Sequence, residues 1–192
     1  MSEPLASCAR WYANPASDAA SRATRLCRLA FDNSEDYVAD SRGVKVLLQD
    51  GEYVETLWAQ PVGGDRYRLD NSPFWAYGVS WLDVVEARPD ETGMLAMTRV
   101  VEKSGHRTVR VILRPPCDES AESQRLLDDL VAMGCSYEGM HPGYIAIDIP
   151  AEVSLDAVAD ALTRSGQEWE HADPRYAELY PDEAGEATVT DG

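Results

Sequence analysis

Between Arg107 and His171 the chain reads strand, helix, strand, strand, helix, strand, and no other stretch constrains the fold as tightly. Arg107 to Leu113 (RTVRVIL) alternates with the two-residue period of a strand, and Pro115-Pro116 stops it. Ser120 to Met133 places Leu126, Leu127, Leu130 and Val131 on one side, the spacing of an amphipathic helix, which Gly134 ends. Cys135 to Met140 and Tyr144 to Ile149 form a hairpin around His141-Pro142-Gly143. Ser154-Leu155-Asp156 opens a second helix carrying Leu155, Val158, Ala159 and Leu162, and Gly166 closes it before the strand QEWEH. In this order two helices cover one face of a four-stranded antiparallel sheet, the split βαβ of a ferredoxin-like unit. Many unrelated activities sit on that arrangement, so it bounds architecture and not chemistry.

Upstream, VKVLLQ, VETLWAQPV, DRYRLDN, DVVEARP and MLAMTRVVEK are short strand-like segments, with Gly63-Gly64 and Pro89 to Gly93 as turns. Five such strands predict a small antiparallel sheet, strongly bent or closed into a partly open barrel. Residues 1–42 differ in texture: Asn14-Pro15 marks a helix start, with Ala19, Ala23, Leu26, Cys27 and Ala30 on one weakly apolar face, followed by the polar linker DNSEDYVADSR. The chain therefore reads as α+β. A helical extension and linker spans 1–42, a β-barrel-like unit 43–105, a ferredoxin-like βαββαβ unit 106–175, and an acidic tail 176–192 in which Tyr176, Leu179 and Tyr180 are apolar enough to dock.

A length of 192 residues with 44% hydrophobic content is enough to bury a core. No apolar run reaches the roughly 18 residues of a membrane span, and the N-terminus lacks a basic start and an apolar core region, which predicts a cytoplasmic protein that does not engage a membrane. Cys8, Cys27, Cys117 and Cys135 are widely spaced with no CxxC pair, so reduced thiols are expected rather than zinc or disulfides. The net charge of −17 is uneven: residues 1–31 carry four Arg against two acids, residues 32–117 ten Lys plus Arg against fourteen, and residues 118–192 three Arg against eighteen. That sign disfavours direct nucleic-acid binding, which rests on Lys and Arg neutralising phosphates. Its natural complement is a basic protein partner, and its ordinary alternative is a solvated surface that confers solubility.

Gly64 to Pro89, GDRYRLDNSPFWAYGVSWLDVVEARP, resembles a family of small bacterial proteins described only as a domain of unknown function, in which a YRLDN turn leads into a PFxAYGVSxxDVVEA segment. A VxxSGHxTxRV stretch follows, here Val101 to Val111. The resemblance runs roughly from Val44 to Trp169, so it leaves the first forty residues as an extension. It implies a bacterial origin and brings no activity with it. One departure stands out: Trp81-Leu82 occupies a place where the family has Gly just before Asp83, which predicts a wider turn.

The candidate chemistry is sparse. Asp70, Tyr77, Asp83 and His106 could gather at the barrel mouth, with His106 as general acid or base beside a carboxylate. No nucleophile motif accompanies it, and residues of Asp70-Asn71-Ser72-Pro73 and Ser104-Gly105-His106 equally serve as hydrogen-bonded turns. Phe74, Trp75, Tyr77 and Trp81 are either packing between the two sheets or a binding patch, since Trp and Tyr both fill cores and anchor interfaces. Cys135, Glu138 and His141 are a hairpin arm apart with no fourth ligand, so no metal is expected. Gly63-Gly64 precedes a strand rather than a helix, so no phosphate loop and no cofactor are expected either. Two classes compete: a non-catalytic adaptor or immunity-type protein engaging a basic partner through its acidic C-terminal half, and a small enzyme or ligand-binding protein with a site between the units near His106 and Asp83.

Overall fold

Five segments of alternating burial, β1 (Val44–Asp50), β2 (Tyr53–Gly63), β3 (Arg66–Leu69), β4 (Val84–Pro89) and β5 (Leu95–Glu102), wrap into a closed barrel in a computed structural model that describes residues 43–51 and 53–184. The expected N-terminal helix and linker, Cys8, Cys27 and the end of the tail lie outside the described residues. Neighbouring strands pair antiparallel from β1 to β5. With an odd number of strands running up and down, the last returns parallel to the first. The ring accordingly closes through a parallel pair, Val46 with Leu95 and Leu47 with Ala96. Of the bent antiparallel sheet or partly open barrel expected from strand texture, the structure has the barrel, closed rather than partly open, which removes exposed edges.

Val46, Leu48, Leu57, Ala59, Leu69, Val85 and Ala87 fill the barrel, joined by Ala76 and Val79 from the long β3–β4 connection. At the β2–β3 hairpin Gly63 and Gly64 both have positive φ, 116° and 59°, where a side chain would be strained. The turn at Trp81-Leu82 is not widened. Asp83 N–H closes it onto the Ser80 carbonyl at 3.2 Å, and Leu82 takes a φ of 66°, the third turn position where glycine is normally required. A leucine there costs about 1 kcal/mol of backbone strain. Leu82→Gly is therefore expected to leave thermal stability unchanged or raise it by about 1 °C or more, the strain relief offsetting the lost packing and added chain entropy. A drop of several degrees in calorimetry would show that the side chain matters more than the backbone.

The second layer follows in the order β6 (Arg107–Ile112), α1 (Ala121–Ala132), β7 (Ser136–His141), β8 (Tyr144–Ile149), α2 (Leu155–Ser165) and β9 (Glu168–Asp173), with an antiparallel sheet ordered β7-β8-β6-β9. Each helix starts at a serine whose hydroxyl accepts from a backbone amide in the first turn, Ser120 from Ser123 and Ser154 from Ala157, both at 3.3 Å. Val109, Val111, Leu113, Ile145, Ile147 and Ile149 pack under Leu127, Leu130, Val158 and Leu162, so both helices cover one sheet face. The fold is α+β. Two short helices, α3 (Tyr176–Leu179) and α4 (Pro181–Ala184), follow, and Tyr176 and Tyr180 pack against His171 with ring centroids 6.1 and 6.5 Å away. No described helix is long and apolar enough to cross a membrane.

Candidate functional site

The other face of the second sheet presents Thr108, Arg110, Glu138, Asp148 and Glu170, a polar set that cannot be buried without partners. The β3–β4 connection, residues 70–83, supplies them for all but Asp148, which His106 and Ser136 hold. From the barrel side the Glu55 carboxylate accepts the amides of Phe74, Trp75 and Ala76 at 2.9, 3.0 and 2.6 Å, and Asp50 accepts that of Tyr77 at 3.1 Å. From the sheet side Tyr144 Oη donates to the Phe74 carbonyl at 2.7 Å, Arg110 Nη2 donates to the Ala76 carbonyl, and Ser72 N–H donates to Glu138 at 3.2 Å. Residues 74–77 are thus clamped between the two units, and the backbone groups of this turn are satisfied by side chains from both.

Arg110 is the centre of this contact. It is 2% exposed, its guanidinium carbon sits 4.5 Å from the Tyr77 ring centroid, and Nη1 reaches Glu170 at 3.1 Å. Tyr77 Oη donates to the second Glu170 oxygen at 2.5 Å. Burial, reinforced by that carboxylate, pushes the Tyr77 phenol up to about 12, so it stays a neutral donor. Above these groups runs an aromatic series. Tyr53 stacks on Trp75 at 5.6 Å, Trp75 meets Tyr144 at 5.4 Å, and Tyr144 meets Phe74 at 6.0 Å and His141 at 6.3 Å. Trp75 and Tyr53 remain 37% and 61% exposed, so the end of the series is open to solvent.

One cleft borders this series and a second lies beside Tyr77. The first, of about 680 Å³, is lined by Trp75, Arg110, Ile112, Met140, Tyr144 and Glu170 among others. The second, about 630 Å³, is lined by Tyr77, Trp169, Glu170, His171, Arg175 and Tyr176. Trp169 and Glu170 line both, so the two form one groove along β9. A groove of aromatic walls and few polar groups suits binding.

Of the remaining candidates, Asp83 belongs to a polar lock between the units. Asp83, fully buried, accepts from Ser80 N–H at 2.9 Å, Ser104 N–H at 2.7 Å and Lys103 Nζ at 3.0 Å. Lys103 also reaches Asp173 at 2.7 Å, which in turn accepts from Ser80 Oγ at 2.6 Å. Although burial disfavours the Lys103 charge, the bonds to Asp173 and Asp83 outweigh it and raise its pKa above the usual value. His106 Nδ1 contacts Asp148 at 2.7 Å, and the Trp81 ring meets the imidazole edge-on at 5.5 Å. Burial raises the Asp148 carboxyl, with His106 opposing it. Ser136 Oγ bonds Asp148 at 3.2 Å rather than the imidazole, so the three do not form a nucleophile, base and orienter in sequence. Asp70 lies on the barrel wall, its amide on the Trp58 carbonyl at 2.8 Å and its carboxylate near Gln60.

The structure thus places Trp75 and Tyr77 at the groove, with Phe74 buried against Tyr144, and puts Trp81 and His106 together elsewhere, with Asp83 in the lock and Asp70 on the barrel. Arg110, Tyr144, Trp169 and Glu170 join the groove without having been singled out by sequence. Arg110 alone carried a signal, as a charge inside the apolar run Val109 to Ile112. Among the described residues no group of three or more His, Cys, Asp or Glu is placed to hold a metal.

No curated protein matches the chain. A crystal structure of a hypothetical protein from Neisseria gonorrhoeae is similar in fold, with a TM-score of 0.55 and 13% identity over 71% of this chain and 96% of that one. The family of DUF4265, a domain of unknown function, matches residues 55–172, a span that holds the clamped connection and most of the aromatic series and groove but not Tyr53, Arg175 or Tyr176. The chain belongs to this DUF4265 family.

Proposed function

We propose that the protein is a non-catalytic bacterial cytoplasmic binding protein, an adaptor or immunity-type protein that grips a basic protein partner through the aromatic groove. The single observation that carries this reading is the exposed end of an aromatic series, Tyr53 and Trp75, beside a cleft whose lining includes the exposed Glu168. Aromatic faces beside carboxylates favour Lys and Arg side chains, through cation–π attraction and charge pairing. Arg110 does not oppose this, because Glu170 neutralises it and the Tyr77 ring covers it.

The acidic C-terminal half supports a basic partner in a more restricted way than its total suggests. Glu138, Asp148 and Asp173 are buried. Asp128, Asp129, Asp156 and Asp160 stand exposed on α1 and α2, the sheet face opposite the groove. They steer approach, and the groove anchors. The βαββαβ order and the strand order β7-β8-β6-β9 support a ferredoxin-like description of the second unit. His106 and Asp83, the centre of the competing enzymatic reading, are held by Asp148 and by the polar lock between the units, respectively, and do not line the groove.

Tagged full chain incubated with host lysate at low salt is expected to retain one dominant basic protein, released at high salt and absent from capture with Trp75→Ala. Retention of the same protein by Trp75→Ala, or of nothing by either form, would overturn the proposal.

A further inference from the structure

We infer that the outer edge of β9, from Glu168 to His171, is a strand-addition site: an extended basic segment of a partner pairs with it and sets alternate side chains into the two clefts. The inference deepens the binding reading above and rests on it. β9 ends the order β7-β8-β6-β9 and pairs with β6 along its inner side, from Glu168 opposite Ile112 to Asp173 opposite Thr108. On its outer side the β3–β4 connection caps the far end, where Gly78 N–H donates to the Ala172 carbonyl at 2.9 Å. Among the described residues no backbone bond covers the outer edge from Glu168 to His171.

An added strand needs such an edge and also room on both faces, because successive side chains of an extended segment point to opposite sides. The two clefts meet this need. Glu170 faces Arg110 on the side of the clamped connection, whereas Trp169 packs against the helix-side core, and both line both clefts, so there is room beside side chains from either face of β9. In the second cleft His171 is 8% exposed, and its buried Nδ1 has no hydrogen-bond partner, a polar atom left for an incoming group.

Charge identifies the occupant. Glu168 and Glu170 stand two residues apart on one side, with side chains 64% and 43% exposed. A second copy of β9 would bring carboxylates against carboxylates, which disfavours self-pairing at an edge. A strand with Lys or Arg opposite Glu168 pairs with it instead, since the Glu170 carboxylate is already held by Arg110 and Tyr77. The Arg114 contact to Glu168 is exposed at both ends and yields readily to a competitor.

The test uses random twelve-residue peptides displayed on phage and panned against the full chain. The tightest binder is then synthesised unmodified and with backbone N-methylation at odd or at even positions. Selected sequences should carry a Lys or Arg placed to meet Glu168, and bound peptide should slow hydrogen exchange of amides within Glu168 to His171. N-methylation in one register should weaken binding about tenfold or more while the other register leaves it nearly unchanged, since only alternate amides face β9. Equal effects in both registers, unprotected β9 amides or no enriched binder would overturn strand addition. A peptide that depends on Trp75 but shows no register effect would sink this inference and leave the groove reading standing.

Discussion

Arg110→Met is expected to lower stability by about 2–4 kcal/mol, read as a lower urea midpoint with an unchanged denaturant slope. Methionine fills much of the same volume, so the loss is polar. The buried Ala76 carbonyl loses its donor, Tyr77 loses the cation beneath its ring, and the Glu170 side chain, 43% exposed, is left to water. Because Glu170 can be solvated, the effect stays below the upper range for breaking a fully buried pair. A second consequence separates this account from simple core damage: Tyr77 and Trp75 should lose their fixed setting, visible as weakened near-ultraviolet circular dichroism at a denaturant concentration where the variant is still folded. A midpoint within about 0.5 kcal/mol of wild type would show that Arg110 does not hold the connection to the sheet.

Lys103→Met should cost about 3 kcal/mol at neutral pH, because Asp83 and Asp173, with side chains 0% and 7% exposed, then face each other without a cation. The figure is at the low end for such a loss since Lys103 itself is 48% exposed and water reaches its place. Acid gives the discriminating sign. With the cation gone, burial and mutual repulsion raise at least one of these carboxyl groups above its unfolded value. The folded variant then binds the extra proton, so its deficit relative to wild type should shrink as pH falls through that raised value toward the unfolded carboxylate range near 4. A deficit that stays constant from pH 7 to pH 4 would mean that the carboxylates are not what the lysine serves.

Secondary structure was legible because period and punctuation agree locally. RTVRVIL, the leucine spacing from Leu126 to Leu130 and the Ser120 and Ser154 caps each state their element within a few residues. Closure of the barrel was less so, since two parallel pairings between β1 and β5 leave no trace in either strand's alternation. What sequence could not show is which polar residues meet across long separations. Glu55 holds Phe74 to Ala76, Tyr77 meets Glu170 ninety-three residues away, and Lys103 joins Asp83 to Asp173. Asp83 and His106 stand out in the sequence as candidate chemistry, and the structure gives each a partner far along the chain, as a buried charge needs whether it reacts or only supports. The aromatic segment was read as either packing or a patch, and it divides. Phe74 is buried, and Trp75 reaches the open end of the series.

The most direct test of the central claim is the affinity of the captured partner, measured by calorimetry, for three forms of the chain: wild type, Trp75→Ala, and a variant carrying Asp128→Asn, Asp129→Asn, Asp156→Asn and Asp160→Asn together. If the groove is the anchor, Trp75→Ala weakens binding about thirtyfold or more, as loss of a central aromatic anchor does, while the helix-face variant changes affinity by less than about threefold and mainly slows association at low salt. The reverse order, a partner indifferent to Trp75 and lost with the four helix carboxylates, would contradict the account and move the interface to the opposite face of the second sheet.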